Sequence, residues 1–258
     1  MGSKILSRIV LSLAVSGLAA CGASDSPPGP LGRHFDDMYI ASIAMDQQAA
    51  SLQAQHDYSV AKAENAHAQS ELDEATTNLA VARNNAKATR IAVDTAVTQK
   101  KSATASGDMN RENQAKRDLK TAEDLSKAAD SHVHYVEGYR AYLARHQRFT
   151  LENMYWREAQ FELAKAQLAQ KNNIQPHNVT FDWYPKQADE RKNRTAHAKE
   201  RAENEKAHVN KLREEWIKIQ ADADRENGHP SSEYDPLAPK SEPTPTNETP
   251  APEPAAQE

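Results

Sequence analysis

Between Arg33 and Gln175 the chain has no proline and only two glycines, Gly107 and Gly138. Strong helix formers fill that span, which predicts very long helix. Within it, small and aliphatic residues recur every seven positions. Leu72, Leu79, Ala86 and Val93 form one line, and Ala68, Ala75, Ala82 and Ala96 form an alternate seam. Beyond Gly107 the spacing resumes with Ala115, Ala122, Ala129, Val136 and Leu143, with Leu119 and Val133 between them. Heptads on both sides of one turn specify an antiparallel coiled coil. In the stretch TASGDMN, Gly107 suits a left-handed C-cap, and Asp108 or Asn110 can cap the next helix. The pattern predicts helices over 34–105 and 108–172 with a turn near 105–109.

A loop over 173–185, carrying Pro176 and Pro185, separates these from a third helical pattern over 186–226. There Ala198, Ala202, Val209, Leu212, Trp216 and Ile219 form an apolar stripe at steps of three and four. The turn at Gly107 brings residue 172 back beside residue 41, so the third helix starts at the N-terminal end of the hairpin. Aromatic placement agrees with this. No Phe, Tyr or Trp lies between Tyr58 and Tyr135, whereas Phe35, Tyr39, Tyr139, Tyr142, Phe149, Tyr155, Trp156 and Phe161 crowd the other end. Large rings need more cover than one partner helix offers. The expected fold is all-α: a long antiparallel coiled-coil hairpin, a third helix along its membrane-proximal half, and a two-helix tip.

Both ends of the chain read differently. Pro27, Pro28, Gly29, Pro30 and Gly32 mark a flexible linker over 21–33, ahead of the helical region 34–227. Residues 228–258 are rich in Pro and Glu without apolar periodicity, and they read as a disordered or polyproline-like tail. The mean hydropathy of -0.86 points to thin helical packing rather than a thick core. A net charge of -5 shows no basic excess, which argues against nucleic acid as a partner. The single cysteine excludes an internal disulfide framework and any zinc site built from several thiolates.

That cysteine sits at a junction. Lys4 and Arg8 precede an apolar stretch from Ile9 to Ala20, too short to span a bilayer, for which about twenty residues are needed. The stretch ends Leu18-Ala19-Ala20-Cys21, which resembles the lipobox of bacterial lipoproteins. The resemblance implies a signal peptide over 1–20, a diacylglyceryl group on Cys21, and Cys21 as the first residue of the mature chain. Gly22 in place of Asp implies sorting to the outer membrane, facing either the periplasm or the cell surface. Several acyl chains hold firmly where one is marginal, at about 0.8 kcal/mol per buried CH₂. The plainer alternative is an ordinary cleaved signal peptide with a coincidental cysteine.

Chemistry is sparse. The Glu-x-x-His pairs Glu64/His67 and Glu205/His208 each place carboxylate and imidazole on one helix face, as in carboxylate-bridged di-iron bundles. Such sites draw on four helices, however, and three are counted here. His132 and His134 diverge on a helix and cannot share a metal. No Ser-His-Asp order, phosphate loop or Cys-His pair assembles, so no catalytic residue and no cofactor is expected.

Phe181, Trp183 and Tyr184, in the loop VTFDWYP, are the candidate contact residues. They either plug the bottom of the bundle or meet a membrane interface or a neighbouring envelope protein. The tip, KKSATASGDMNRE, is either a solvated turn or a docking point. It is similar to the hairpins of efflux adaptor proteins in architecture only, because it lacks their Arg-Leu and Asp-Leu pattern and the chain has no room for flanking β-domains. Nor does the chain end in the lysine by which murein lipoprotein is linked to the cell wall.

The leading expectation is a lipid-anchored, non-catalytic envelope lipoprotein acting as an elongated spacer or scaffold. Self-association through an uncovered apolar stripe fits the same picture. The alternative is a binding module: an accessory of a secretion, motility or efflux machine, or a surface adhesin or immunity factor. A di-metal helical-bundle enzyme is the remote third.

Overall fold

The computed structural model describes residues 28–228, 230 and 233–238. The predicted signal peptide 1–20, Cys21 and the tail from 239 onward lie outside the described residues. Three helices carry the fold: α1 over Ala49–Ser106, α2 over Met109–Lys171 and α3 over Trp183–Asn227. Among the described residues there is no strand, and no helix is long and apolar enough to cross a membrane. At 1.5 Å per residue, α2 is about 95 Å long.

The predicted turn is present. Gly107 adopts φ +70°, the left-handed C-cap that a residue with a Cβ takes only under strain. Asp108 then caps α2, its carboxylate accepting from the backbone N–H groups of Asn110 and Arg111.

Of the two predicted lines on α1, the alanine line lies deeper. Ala61, Ala68, Ala75, Ala82, Ala96 and Ala103 are buried, as are Leu79 and Ala86, while Leu72 and Val93 flank the seam half-buried. Opposite them, Ala115, Ala128, Ala129, Val136 and Leu143 are buried on α2. Ion pairs from Arg83 to Glu137 and from Arg90 to Asp130, each at 2.7 Å, mark the register between the arms. Both are largely exposed and add little stability.

The third helix packs along α2 rather than equally along both arms, which makes α2 the central helix. Gly138 permits the approach, since a Cβ there would stand 2.6 Å from Leu212 Cδ1. Side chains bridge what the backbones of α1 and α3 do not. Leu79 and Ala82 of α1, Tyr135 and Val136 of α2, and Val209 and Trp216 of α3 form one core cluster. Near the end of α3, Glu226 pairs with Lys120 of α2 at 2.8 Å. From there to Gly107 only two helices remain, a tip of about fifteen residues per arm and roughly 22 Å.

Two boundaries differ from the expectation. The first helix begins at Ala49 rather than residue 34. Residues ahead of it make two 3-10 turns, Asp37–Tyr39 and Met45–Gln47, that turn Phe35, Ile40 and Ile43 into the end of the bundle. The third helix begins at Trp183, ahead of Pro185. Proline is tolerated in a first turn because the N–H it lacks there has no intrahelical partner anyway.

Burial at the three-helix level dominates stability on this account. Trp216→Ala is expected to lower unfolding free energy by about 3–5 kcal/mol, and Ile91→Ala on the exposed face by no more than about 0.5 kcal/mol. Urea unfolding followed by circular dichroism measures both.

Candidate functional site

At the base of the rod the chain's N-terminal segment is clasped by rings. Phe35 is buried, edge-on to Tyr39 and to Tyr184 with ring centres 5.8 Å away in each case, and stacked on Phe181 at 6.3 Å. Tyr184 is itself buried, and its hydroxyl donates to the His34 carbonyl at 3.3 Å. Burial pushes its phenol above the usual range, and the Glu162 carboxylate adds to this. Trp183 stands half-buried on the rim, with the Arg33 guanidinium 3.9 Å from its ring centre. The structure thus brings Phe181 and Tyr184 together with Phe35 as a plug, and leaves Trp183 beside it on the rim.

Charged side chains complete the clasp. Lys165 is almost fully buried on α2, and its ammonium donates to the Phe35 carbonyl at 2.8 Å and to Asp37 at 2.7 Å. It also pairs with the equally buried Glu162 at 2.9 Å, and Glu162 accepts the Phe35 N–H at 2.6 Å. Nearby, burial pushes the Glu158 carboxyl up, an effect His34 opposes and Glu162 reinforces.

From α3, Arg191 donates to the carbonyls of Gly29 and Pro30 at 3.1 and 3.3 Å. Gln187 both accepts from and donates to the Arg33 backbone, at 3.1 and 3.0 Å. The irregular segment 29–37 therefore finds its polar partners in side chains of α2 and α3, which settles its course against the bundle.

A second held segment went unseen in the sequence. Residues 233–238 lie against all three helices as a strap. The Asp235 carboxylate accepts from Arg213 Nε at 2.9 and 3.0 Å and from Nη2 at 2.6 Å, and the Tyr135 hydroxyl donates to it at 2.7 Å. Burial alone would push the Asp235 carboxyl up, but Arg213, Tyr135 and the Leu237 N–H together hold it below the usual carboxylate range. Burial and Asp235 push the Tyr135 phenol far up.

His132, buried on α2, meets the Tyr234 carbonyl through Nε2 at 2.7 Å. A carbonyl only accepts, so that nitrogen carries the hydrogen. Trp216 lies between this imidazole and Tyr135, with ring centres 4.8 and 5.3 Å away. On α1, the Asn85 amide faces Glu233 at 3.5 Å. The expectation for 228–258 is thus narrowed at its start, where 233–238 is docked. The signal available was EYDPL itself, which holds the last aromatic residue of the chain and an Asp-Pro turn.

No family model, no characterised protein and no solved structure matches this chain. Function therefore rests on the geometry. Glu64 and His67 of α1 and His208 of α3 are exposed, and Glu205 is half-buried. Among the described residues, no group of three or more His, Cys, Asp or Glu side chains is placed to hold a metal ion. His132 is buried and His134 exposed, in line with their predicted divergence. What the two clusters do is hold chain segments in place, one at the base and one at mid-rod.

The strap gives a pH signature. A carboxylate held below its usual range stabilises the fold at neutral pH, and the gain fades as pH falls through about 4 and below. Asp235→Asn is expected to cost about 1.5–3 kcal/mol at pH 7, with a narrower gap to the wild type at pH 3. Urea unfolding followed by tryptophan fluorescence at both pH values checks this. Lys165→Ala, which strands Glu162 in the interior, is expected to cost about 3–5 kcal/mol in the same measurement.

Proposed function

We propose that this protein is a lipid-anchored, non-catalytic lipoprotein of the bacterial outer membrane whose helical rod serves as a spacer or scaffold. The observation that supports this reading most is the clasp on residues 29–37. A tether entering there is fixed to the base by buried rings and a buried ion pair, not left to swing on a loose linker. From Cys21 to Pro28 the chain can extend about 25 Å, so a lipid on Cys21 keeps the base close to the membrane surface. The tether enters beside Tyr155 on α2, where Arg191 lies over the ring at 5.3 Å. Counting back along α2 to Met109 puts the tip about 70 Å from that point. On this reading, the fold holds a small polar tip at a set height.

A second reading, a binding module whose tip docks on a partner, has one observation in its favour. Met109, the first residue of α2, is 75% exposed at the end of the rod. Photocrosslinking from position 109 in intact cells separates the two readings. A single dominant partner favours the module, and diffuse or absent products favour the spacer.

The anchor has its own test. The wild-type protein is expected to sediment with outer-membrane fractions and to yield an N-terminal peptide whose mass includes acyl chains on Cys21. Cys21→Ser is expected to appear in the soluble fraction. An unmodified Cys21 at the mature N-terminus, or unchanged sedimentation of the variant, would refute it.

A further inference from the structure

Past the strap, toward the base, α2 carries a line of rings on the face between α1 and α3. Tyr139, Tyr142, His146 and Phe149 follow one another at steps of three and four, all half-buried. Their ring centres are 6.1, 5.8 and 6.0 Å apart in sequence. Glu71 of α1 lies beside both tyrosines and Glu74 beside Tyr139, while Lys206 of α3 stands 6.0 Å from the Tyr142 ring centre. Lower down, Ala63, Glu64, His67 and Ala68 of α1 face His146 and Phe149 across an open groove of about 610 Å³. The strap occupies the tipward end of this same face, and its Leu237 packs on the cluster that Tyr139 and Tyr142 also border. The chain then continues Pro239-Lys240-Ser241-Glu242-Pro243-Thr244-Pro245.

We propose that the ring-lined groove over Tyr139–Phe149 is a docking site for Pro239–Pro245 of the same chain. Proline-rich segments favour the polyproline II conformation before they bind, and they dock on aromatic-lined grooves because little ordering entropy remains to be lost. Pro236 already sits in the strap. Reach is sufficient. Seven residues at about 3.1 Å each cover about 22 Å, and Tyr139 to Phe149 is about 15 Å along α2. Charge also fits, since Lys240 and Glu242 enter a groove with Glu71 and Glu74 on one wall and Lys206 on the other. The docked strap holds the segment at millimolar effective concentration, so weak ring–proline contacts suffice and the chain's own tail outcompetes a second copy. The inference is independent of the membrane anchor.

Photocrosslinking in the full chain tests it. With benzoylphenylalanine at position 142, the main product is expected to join that residue to a peptide from 239–258 of the same chain. The same probe at the exposed Glu215 of α3 is expected to give about tenfold less of this product. Equal yields from both positions, products that join two chains, or no tail peptide from position 142 would each overturn the proposal.

Trypsin cleavage after Lys240 keeps the test open if the probe disturbs folding, because it leaves the groove untouched. The double variant P243S/P245S is expected to be cut there about tenfold faster than the wild type. Equal rates would contradict the proposal.

Discussion

The narrow alanine seam between α1 and α2 constrains everything else in this structure. With Ala61, Ala68, Ala75, Ala82, Ala96 and Ala103 turned toward α2, two helices pack with few large side chains between them. Such a pair buries little apolar surface per residue and has no room inside for a ring. The tip accepts this poverty and stays a bare two-helix rod. Wherever the sequence places a Tyr, Trp or Phe, some third element must cover it. The long helix α3, the N-terminal segment and the strap are those elements, each lying where rings occur on α2.

This division also explains where polar chemistry is buried. Lys165 and Glu162 are taken out of water to receive the N–H and carbonyl of Phe35, not to face a ligand. Replacing such a pair by apolar residues is often neutral for stability, while breaking it is costly. What the pair contributes is definition, a single course for the segment that leads to the N-terminus. At mid-rod, Arg213 and Tyr135 do the same for the strap through Asp235. In both places an irregular stretch of chain gains a fixed position from side chains on α2 and α3.

Much of this was legible in the sequence, because the signals were local and repeated. Seven-residue spacing on both sides of Gly107, the stripe from Ala198 to Trp216, and the aromatic gap between Tyr58 and Tyr135 gave the three helices, their order and the two-helix tip. The boundaries at residues 34–48 and 183–185 were less legible. Phe35, Tyr39 and Ile43 follow at steps of four, as on a helix, but their partners lie more than a hundred residues away. Pro185 read as a loop residue although a first turn tolerates it. The strap was hidden for the same reason as Phe35, since Tyr135 and Asp235 are 100 residues apart and the surrounding composition is that of a tail. The Glu-x-x-His pairs show the converse. Helical periodicity placed each pair on one face correctly, but the packing of the helices decided whether the faces converged, and they do not.

Small-angle scattering on residues 28–258 in solution tests the central claim most directly, because an alanine-seamed rod and a collapsed bundle differ in shape before any other property. A rod the length of α2 has a radius of gyration of roughly 27 Å or more, whereas a compact domain of this many residues has about 17 Å. The account predicts the larger value with a maximum dimension near 100 Å or above. A radius near the compact value would mean that the hairpin folds back on itself, and the seam would then not be the element that shapes this protein.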